Sequence, residues 1–139
     1  MYLDENDLKK ALENENNESI INLTISGIKS EKNDILQKLQ LGKEDLKDNL
    51  KKLKEYRYIN NINDLNYGCY IRWINLKNIE NLKLTNGGFI CDIKINEGIE
   101  ILCRNNFNKL FQLRFDENLI FQKLTEQEKI ILNVINNLK

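Results

Sequence analysis

Cys69, Cys91 and Cys103 carry the most reactive side chains in this sequence, and the chain has no histidine to accompany them. A structural zinc site needs cysteines or histidines at short spacing, and a cysteine nucleophile needs an adjacent base. Neither pattern is present, so no metal site, catalytic residue or cofactor is expected. Cys91 and Cys103 fall on the apolar phase of alternating runs, which predicts both as small buried core side chains. Cys69 has bulky groups on both phases around it and is assigned to neither face. Asp92, Glu97 and Glu100 are the best remaining route to acid–base chemistry, since two carboxylates can share that work. Their outward registers and turn position predict a solvated face instead. No G-x-x-x-x-G-K-[ST], G-x-S-x-G or G-x-G-x-x-G pattern occurs, and Gly87-Gly88 reads as turn chemistry. The expectation is a protein that is not an enzyme.

Two groups of residues have binding chemistry. Tyr70, Arg72 and Trp73, in YIRWI, form an aromatic–Arg–aromatic cluster on a strand. Such a cluster can anchor a protein partner or stack a nucleic-acid base. The competing reading makes Trp73 the largest core residue, with Arg72 paired to Asp92 or Glu100 across the sheet. The second group is Lys43, Lys47, Lys51 and Lys54, a basic stripe at helical spacing with Lys52 beside it and Arg57 just beyond. Helix, glycine turn, lysine-rich helix and then YRYI has the rhythm of a winged helix, whose second helix enters a major groove. Against this, Glu44–Lys47, Asp48–Lys51 and Asp48–Lys52 are spaced for ion pairs on an ordinary solvated helix.

The elements that must position these residues follow from composition and periodicity. The 139 residues suit one domain, and 41% hydrophobic and 30% charged residues with net charge +0 are ordinary for a globular protein. No apolar run approaches the roughly 18–20 residues that cross a bilayer, and the acidic start, MYLDENDLKK, is not a signal peptide. An odd set of widely spaced thiols points to a reducing, intracellular compartment. The charge is segregated. Two lysines against six carboxylates leave residues 1–18 at −4, and nine Lys/Arg against six Asp/Glu leave residues 29–57 at +3.

Residues 1–64 read as mainly helical, 65–124 as a small β-barrel and 125–139 as a closing helix. Asp4 caps a first helix, with Leu3 and Leu8 as a staple and Leu8, Ala11 and Leu12 as its apolar stripe. Ile21, Leu23 and Ile25 alternate like a short strand ended by Ser26-Gly27. Ser30 caps a helix reaching about Gln40, and Gly42 is its left-handed terminator. A further helix from Glu44 to Tyr56 buries Leu46, Leu50 and Leu53, and Tyr56, Tyr58, Ile59 and Ile62 pack under the sheet. From Tyr67 to Leu124, short apolar runs alternate with Gly- and Asn-rich turns. Asn86-Gly87 predicts a type I′ hairpin turn. Inward sets follow as Phe89, Cys91, Ile93 and Ile95, then Ile99, Ile101 and Cys103, then Phe111, Leu113 and Phe115. Strands this short predict closure into an SH3-like or OB-like antiparallel barrel of about five or six strands. Thr125 and Glu128 form a capping box ahead of a helix that buries Ile131, Val134, Ile135 and Leu138. The fold class is α+β, with helices before the barrel and one after it.

The runs LKEYRYINNINDLNYGCYIRWINL, LTNGGFICDIKI and FQLRFDENLIFQKLTEQEKIIL resemble small proteins of nucleocytoplasmic large DNA viruses of the mimivirus kind. The resemblance covers roughly residues 30–139, and Tyr67–Trp73 and Phe121–Glu128 carry most of it. The absence of Pro and the weight of Lys, Asn and Ile suit AT-rich coding. The resemblance implies a viral source, in host cytoplasm or the virion, and brings no activity or functional residues with it. The expected function is a protein–protein interaction module in a viral assembly. Nucleic-acid binding is the alternative.

Overall fold

The computed structural model describes residues 5–14, 17, 20 and 23–138. Helices α1 (Glu5–Glu13), α2 (Ile25–Gln37) and α3 (Lys43–Lys52) lead into strand β1 (Tyr56–Ile59) and a 3₁₀ turn (Ile62–Asp64). Strands β2 (Tyr70–Asn75), β3 (Gly88–Asn96), β4 (Gly98–Arg104) and β5 (Leu110–Arg114) follow. A second 3₁₀ turn (Phe115–Glu117), β6 (Asn118–Lys123) and helix α4 (Glu126–Asn137) complete the chain. All six strands join one antiparallel sheet in the order β1-β6-β2-β3-β4-β5.

The expected ring does not close. β1 and β5 are the two edges of an open sheet, and no pairing joins them. The sheet curls all the same. Its concave face gathers Ile59 of β1, Ile71 and Trp73 of β2, Ile90, Ile101, Cys103, Leu113 and Ile120 into one core. On the convex face, Ile74, Leu119 and Phe121 are covered by Leu36 of α2 and Leu53 at the end of α3. A third cluster of Ala11, Ile28, Ile131 and Leu132 binds α1, α2 and α4 together. Each fully buried Leu, Ile or Phe in these layers contributes about 1.5–3 kcal/mol. The segment YRYI, expected to pack beneath the sheet, is itself edge strand β1, so the sheet begins within the stretch read as helical.

Two bulges set which side chains face which way. Ile74 opposes Leu84 and Ile71 opposes Gly88, so the loop strand holds one residue more than β2 across the same span. Asn86-Gly87 therefore makes a bulge and not the hairpin turn. Gly87 has φ 87°, and a Cβ there would lie 2.2 Å from the Ile71 carbonyl oxygen. The second bulge is at Cys91: Ile90 opposes Cys103, while Asp92 opposes Leu102. It reverses the expected phase at the start of β3, so Ile90 is buried and Phe89 and Cys91 are exposed. Past the bulge, Ile93 turns inward as expected, but Ile95 lies 77% exposed near the hairpin tip.

The helices also differ in their ends. Ile25 begins α2 and does not belong to a strand, because Thr24 takes the N-cap and its hydroxyl accepts from the Gly27 amide at 3.0 Å. Ser30 is thus a helix-interior residue. Gln40, with φ 55°, occupies the left-handed position after α2, and Gly42 precedes α3 as its N-cap. In α3 Leu53 is buried, whereas Leu46 and Leu50 are half-buried. Asp4, Leu3 and Ile21 lie outside the described residues, so the first cap, the staple and the start of the supposed strand do too. The α4 capping box forms as read, with Thr125 Oγ1 accepting from the Glu128 amide at 3.1 Å and Glu128 Oε1 accepting from the Thr125 amide at 2.9 Å. This helix buries Leu132 beside Ile131 and leaves Leu138 in solvent.

One buried charge ties the helices to the sheet. Lys32 of α2 is 4% exposed, and its ammonium donates to the carbonyls of Leu53 at 2.7 Å and Tyr56 at 2.9 Å. Burial, with a smaller push from Lys29, lowers its pKa. The Tyr56 carbonyl at the α3–β1 junction would otherwise be buried without a donor, whereas the Leu53 carbonyl also accepts from the Tyr56 amide.

Candidate functional site

Alternation along β2 sends Tyr70 and Arg72 to the convex face and Trp73 to the concave one, so the three do not form one cluster. Trp73 is 8% exposed and belongs to the inner core. Arg72 pairs with neither Asp92 nor Glu100. It opposes Phe121 of β6, and its Nε donates to the Thr85 carbonyl at 2.8 Å. That bond and the Tyr70 hydroxyl, which donates to the Asn86 carbonyl at 2.5 Å, hold the bulged loop against β2. Thr85 Oγ1 accepts from the Trp73 amide at 3.1 Å, completing the clamp.

This clamp forms one wall of a recess of about 330 Å³ lined by Tyr70, Trp73, Asn86, Asn105, Phe107 and Phe111. The opposite wall is the β4–β5 turn. Asn105 shapes that turn through its side-chain oxygen, which accepts from the amides of Phe107 and Lys109, each at 2.9 Å. Asn108 there takes φ 61°. The turn lifts Phe107 into solvent at 89% exposure. The rings are mutually engaged. Tyr70 meets Phe89 edge-on at 4.9 Å, Trp73 meets Phe111 at 6.3 Å, and the Lys109 ammonium lies 5.3 Å from the Phe111 centroid. Register places Tyr70, Phe89, Arg104 and Leu110 side by side across four strands on the convex face. Phe89 and Leu110 there are 46% and 52% exposed.

The YIRWI reading thus locates two of the lining residues. It misses Phe107 and Phe111, which the sequence offered only as apolar residues of FNKLF. A larger recess of about 460 Å³, between the α2–α3 turn and residues 79–84, is lined by Asp45, Asp48 and Lys52 together with aliphatic residues such as Leu39, Leu41 and Leu82, and by no aromatic residue. It presents no comparable apolar surface.

The cysteines separate. Cys103 is fully buried, and burial holds its thiol proton up to about 12. Cys91 is exposed, against expectation, because it is the extra residue of a bulge. Cys69 is half-buried, and burial, then the Glu128 carboxylate, raises its pKa, with Arg57 acting in the opposite sense. Neither Cys69 nor Cys103 is poised as a thiolate. Asp92 Oδ1 accepts from the Ile93 amide, and Glu100 takes the Gln112 side-chain amide and lies 3.9 Å from Arg114. These carboxylates stand apart from the recess. Among the described residues no three of Cys, Asp and Glu come together where they could hold a metal ion, and no helix is long and apolar enough to cross a membrane.

On α3, Lys43, Lys47 and Lys51 are exposed, as is Lys54 in the turn after it, and Lys52 pairs with Asp48 at 2.9 Å. The expected Glu44–Lys47 and Asp48–Lys51 pairs are not among the ion pairs of the described residues. Arg57 leaves the stripe altogether. It is 4% exposed on β1, opposite Gln122, with its guanidinium near the Asp64 carbonyl. Compared with known proteins, the chain matches no family model, no curated protein and no solved structure.

Proposed function

We propose that this protein is a non-enzymatic interaction module that docks an apolar side chain of a partner protein in the recess between the Thr85–Gly87 bulge and the β4–β5 turn. The single observation that carries this is the aromatic lining of that recess beside the solvent-exposed ring of Phe107. Large exposed aromatics gathered at a pocket are unusual on a surface with nothing to bind, and such rings dominate the energetics of interfaces. The lining holds aromatic rings, amides and a threonine, with no carboxylate or thiol to act as base or nucleophile. The resemblance to large-DNA-virus proteins makes a viral assembly in host cytoplasm the setting of this proposal.

Nucleic-acid binding through α3 is the second reading, and the exposure of Lys43, Lys47, Lys51 and Lys54 favours it. One experiment separates the two. Wild type, Phe107→Ala and the double variant Lys47→Glu/Lys51→Glu are compared for what they retain from infected-cell extract. Loss of protein partners with Phe107→Ala alone supports docking. Retained DNA, lost with the lysine reversal and with log affinity falling against log salt at about 0.9 per phosphate contact, supports the second reading.

A further inference from the structure

The two edges of the sheet are finished differently. On β1, Leu124 donates to the Glu55 carbonyl, so ladder alternation turns the N–H and C=O of Tyr56 away from β6. Both are used: the Tyr56 amide donates to Leu53 at 3.0 Å, and its carbonyl accepts from Lys32; Tyr58, the next outward residue, has no such bonds among the described residues but packs in the helix-covered cluster. On β5, the bond from the Asn105 amide to the Lys109 carbonyl sets the opposite reckoning. By the same alternation, the backbone groups of Leu110 and Gln112 turn outward, and no group among the described residues meets them. An exposed row of this kind is a template for another strand.

At its recess end the charge around this edge has one sign, while at the far end Glu100, Asp116 and Glu117 all pair with Arg114. Residues 65–79, 84–91 and 101–115 supply β2, the bulge, the start of β3, most of β4 and all of β5, and contain no Asp or Glu. Arg104 and Lys109 flank the open edge at its recess end and enter no ion pair among the described residues. The partner's ring or aliphatic anchor, its extended backbone and its charge are then specified together. Resting on the docking reading above, we infer that the partner segment is an extended, acidic peptide that adds to β5 as a seventh strand and seats an apolar side chain in the recess. A single-stranded nucleic acid suits the cations but not the rest. The exposed ring of Phe107 could stack a base, but a phosphate backbone cannot continue an N–H and C=O ladder.

The test selects a random dodecapeptide display library on the full chain and measures the enriched peptides by fluorescence anisotropy. The expected winners alternate apolar and acidic residues. N-methylation of alternate amides weakens them roughly 30-fold, through the two bonds lost to the Leu110 and Gln112 carbonyls. Arg104→Glu with Lys109→Glu weakens them about tenfold. Peptides that lose affinity with Phe107→Ala yet ignore N-methylation and charge reversal would keep the docking site and overturn strand addition. Peptides that respond to N-methylation but not to Phe107→Ala would overturn the recess reading instead. No enrichment, or tighter binding of a twelve-residue oligothymidylate sensitive to the same two cations, overturns the peptide altogether.

Discussion

On β1, β6 and β2 the convex side chains, Tyr56, Phe121 and Ile74 among them, lie under α2 and α3. On β3, β4 and β5 the equivalent positions, Phe89, Arg104 and Leu110, face solvent. Both halves share one concave core, so they differ in what covers their backs and in how their edges are finished. The covered half has its edge carbonyl taken by a lysine and its aromatics sealed. The open half keeps aromatics and backbone groups unspent. Stability and recognition are thereby assigned to different strands, and substitutions in the two halves should be read out by different measurements.

Phe121→Ala should break the covered half, costing about 3–5 kcal/mol by urea denaturation because the ring is fully buried and leaves a cavity. A cost below roughly 1 kcal/mol would mean that the helices do not seal that face. Lys32→Met should cost about 1–3 kcal/mol, since the buried Tyr56 carbonyl loses its donor. An unchanged midpoint would show that water replaces the ammonium and that β1 is not sealed. Thr125→Ala, at the helix that ties α1 to the sheet, should lose about 0.5–2 kcal/mol with its cap.

Thiol chemistry sharpens the contrast within one strand pair. In the native protein Cys91 should react at once with a thiol reagent, and Cys103 only on unfolding. The unfolded Cys103 thiol ionises from near 9.0, while the folded one keeps its proton to about 12. The unfolded state therefore loses its proton first, so this contribution to stability is whole below pH 9.0 and drains away as pH rises toward about 12. Cys103→Ala should flatten that decline, and equal slopes would refute the assignment. The smallest effect is expected at Phe107→Ala, within about 0.5 kcal/mol of wild type in stability. A larger loss would move Phe107 from the binding surface into the fold.

Much of the shared core and the closing helix was legible. The Thr125–Glu128 box is a local pattern that needs no tertiary information, and the inward phase of Ile101, Cys103 and Leu113 follows from simple alternation. What failed depends on contacts distant in sequence. A glycine with positive φ serves a hairpin turn and a bulge alike, so Asn86-Gly87 could not reveal that residues 84–85 already pair with β2. One unpaired residue at position 91 reversed the reading of Phe89 and Ile90. Thr24 and Ser30 are both competent caps, and the apolar residues between them fit a strand or a helix. The recess was half visible, since YIRWI names Tyr70 and Trp73, but the wall that faces them comes from a turn more than thirty residues later.

The Cys91 bulge also bears on how this chain tolerates changes in length. Ile90 points in, Cys91 and Asp92 both sit on the outward side, and Ile93 points in again. Removing the codon for Cys91 would leave Ile90 opposite Cys103 and Asp92 opposite Leu102, with every later side chain on its present face. The same deletion one position earlier, at Ile90, would strip the core of a buried residue. Position 91 is thus a joint at which the gene can lose a triplet without scrambling the sheet.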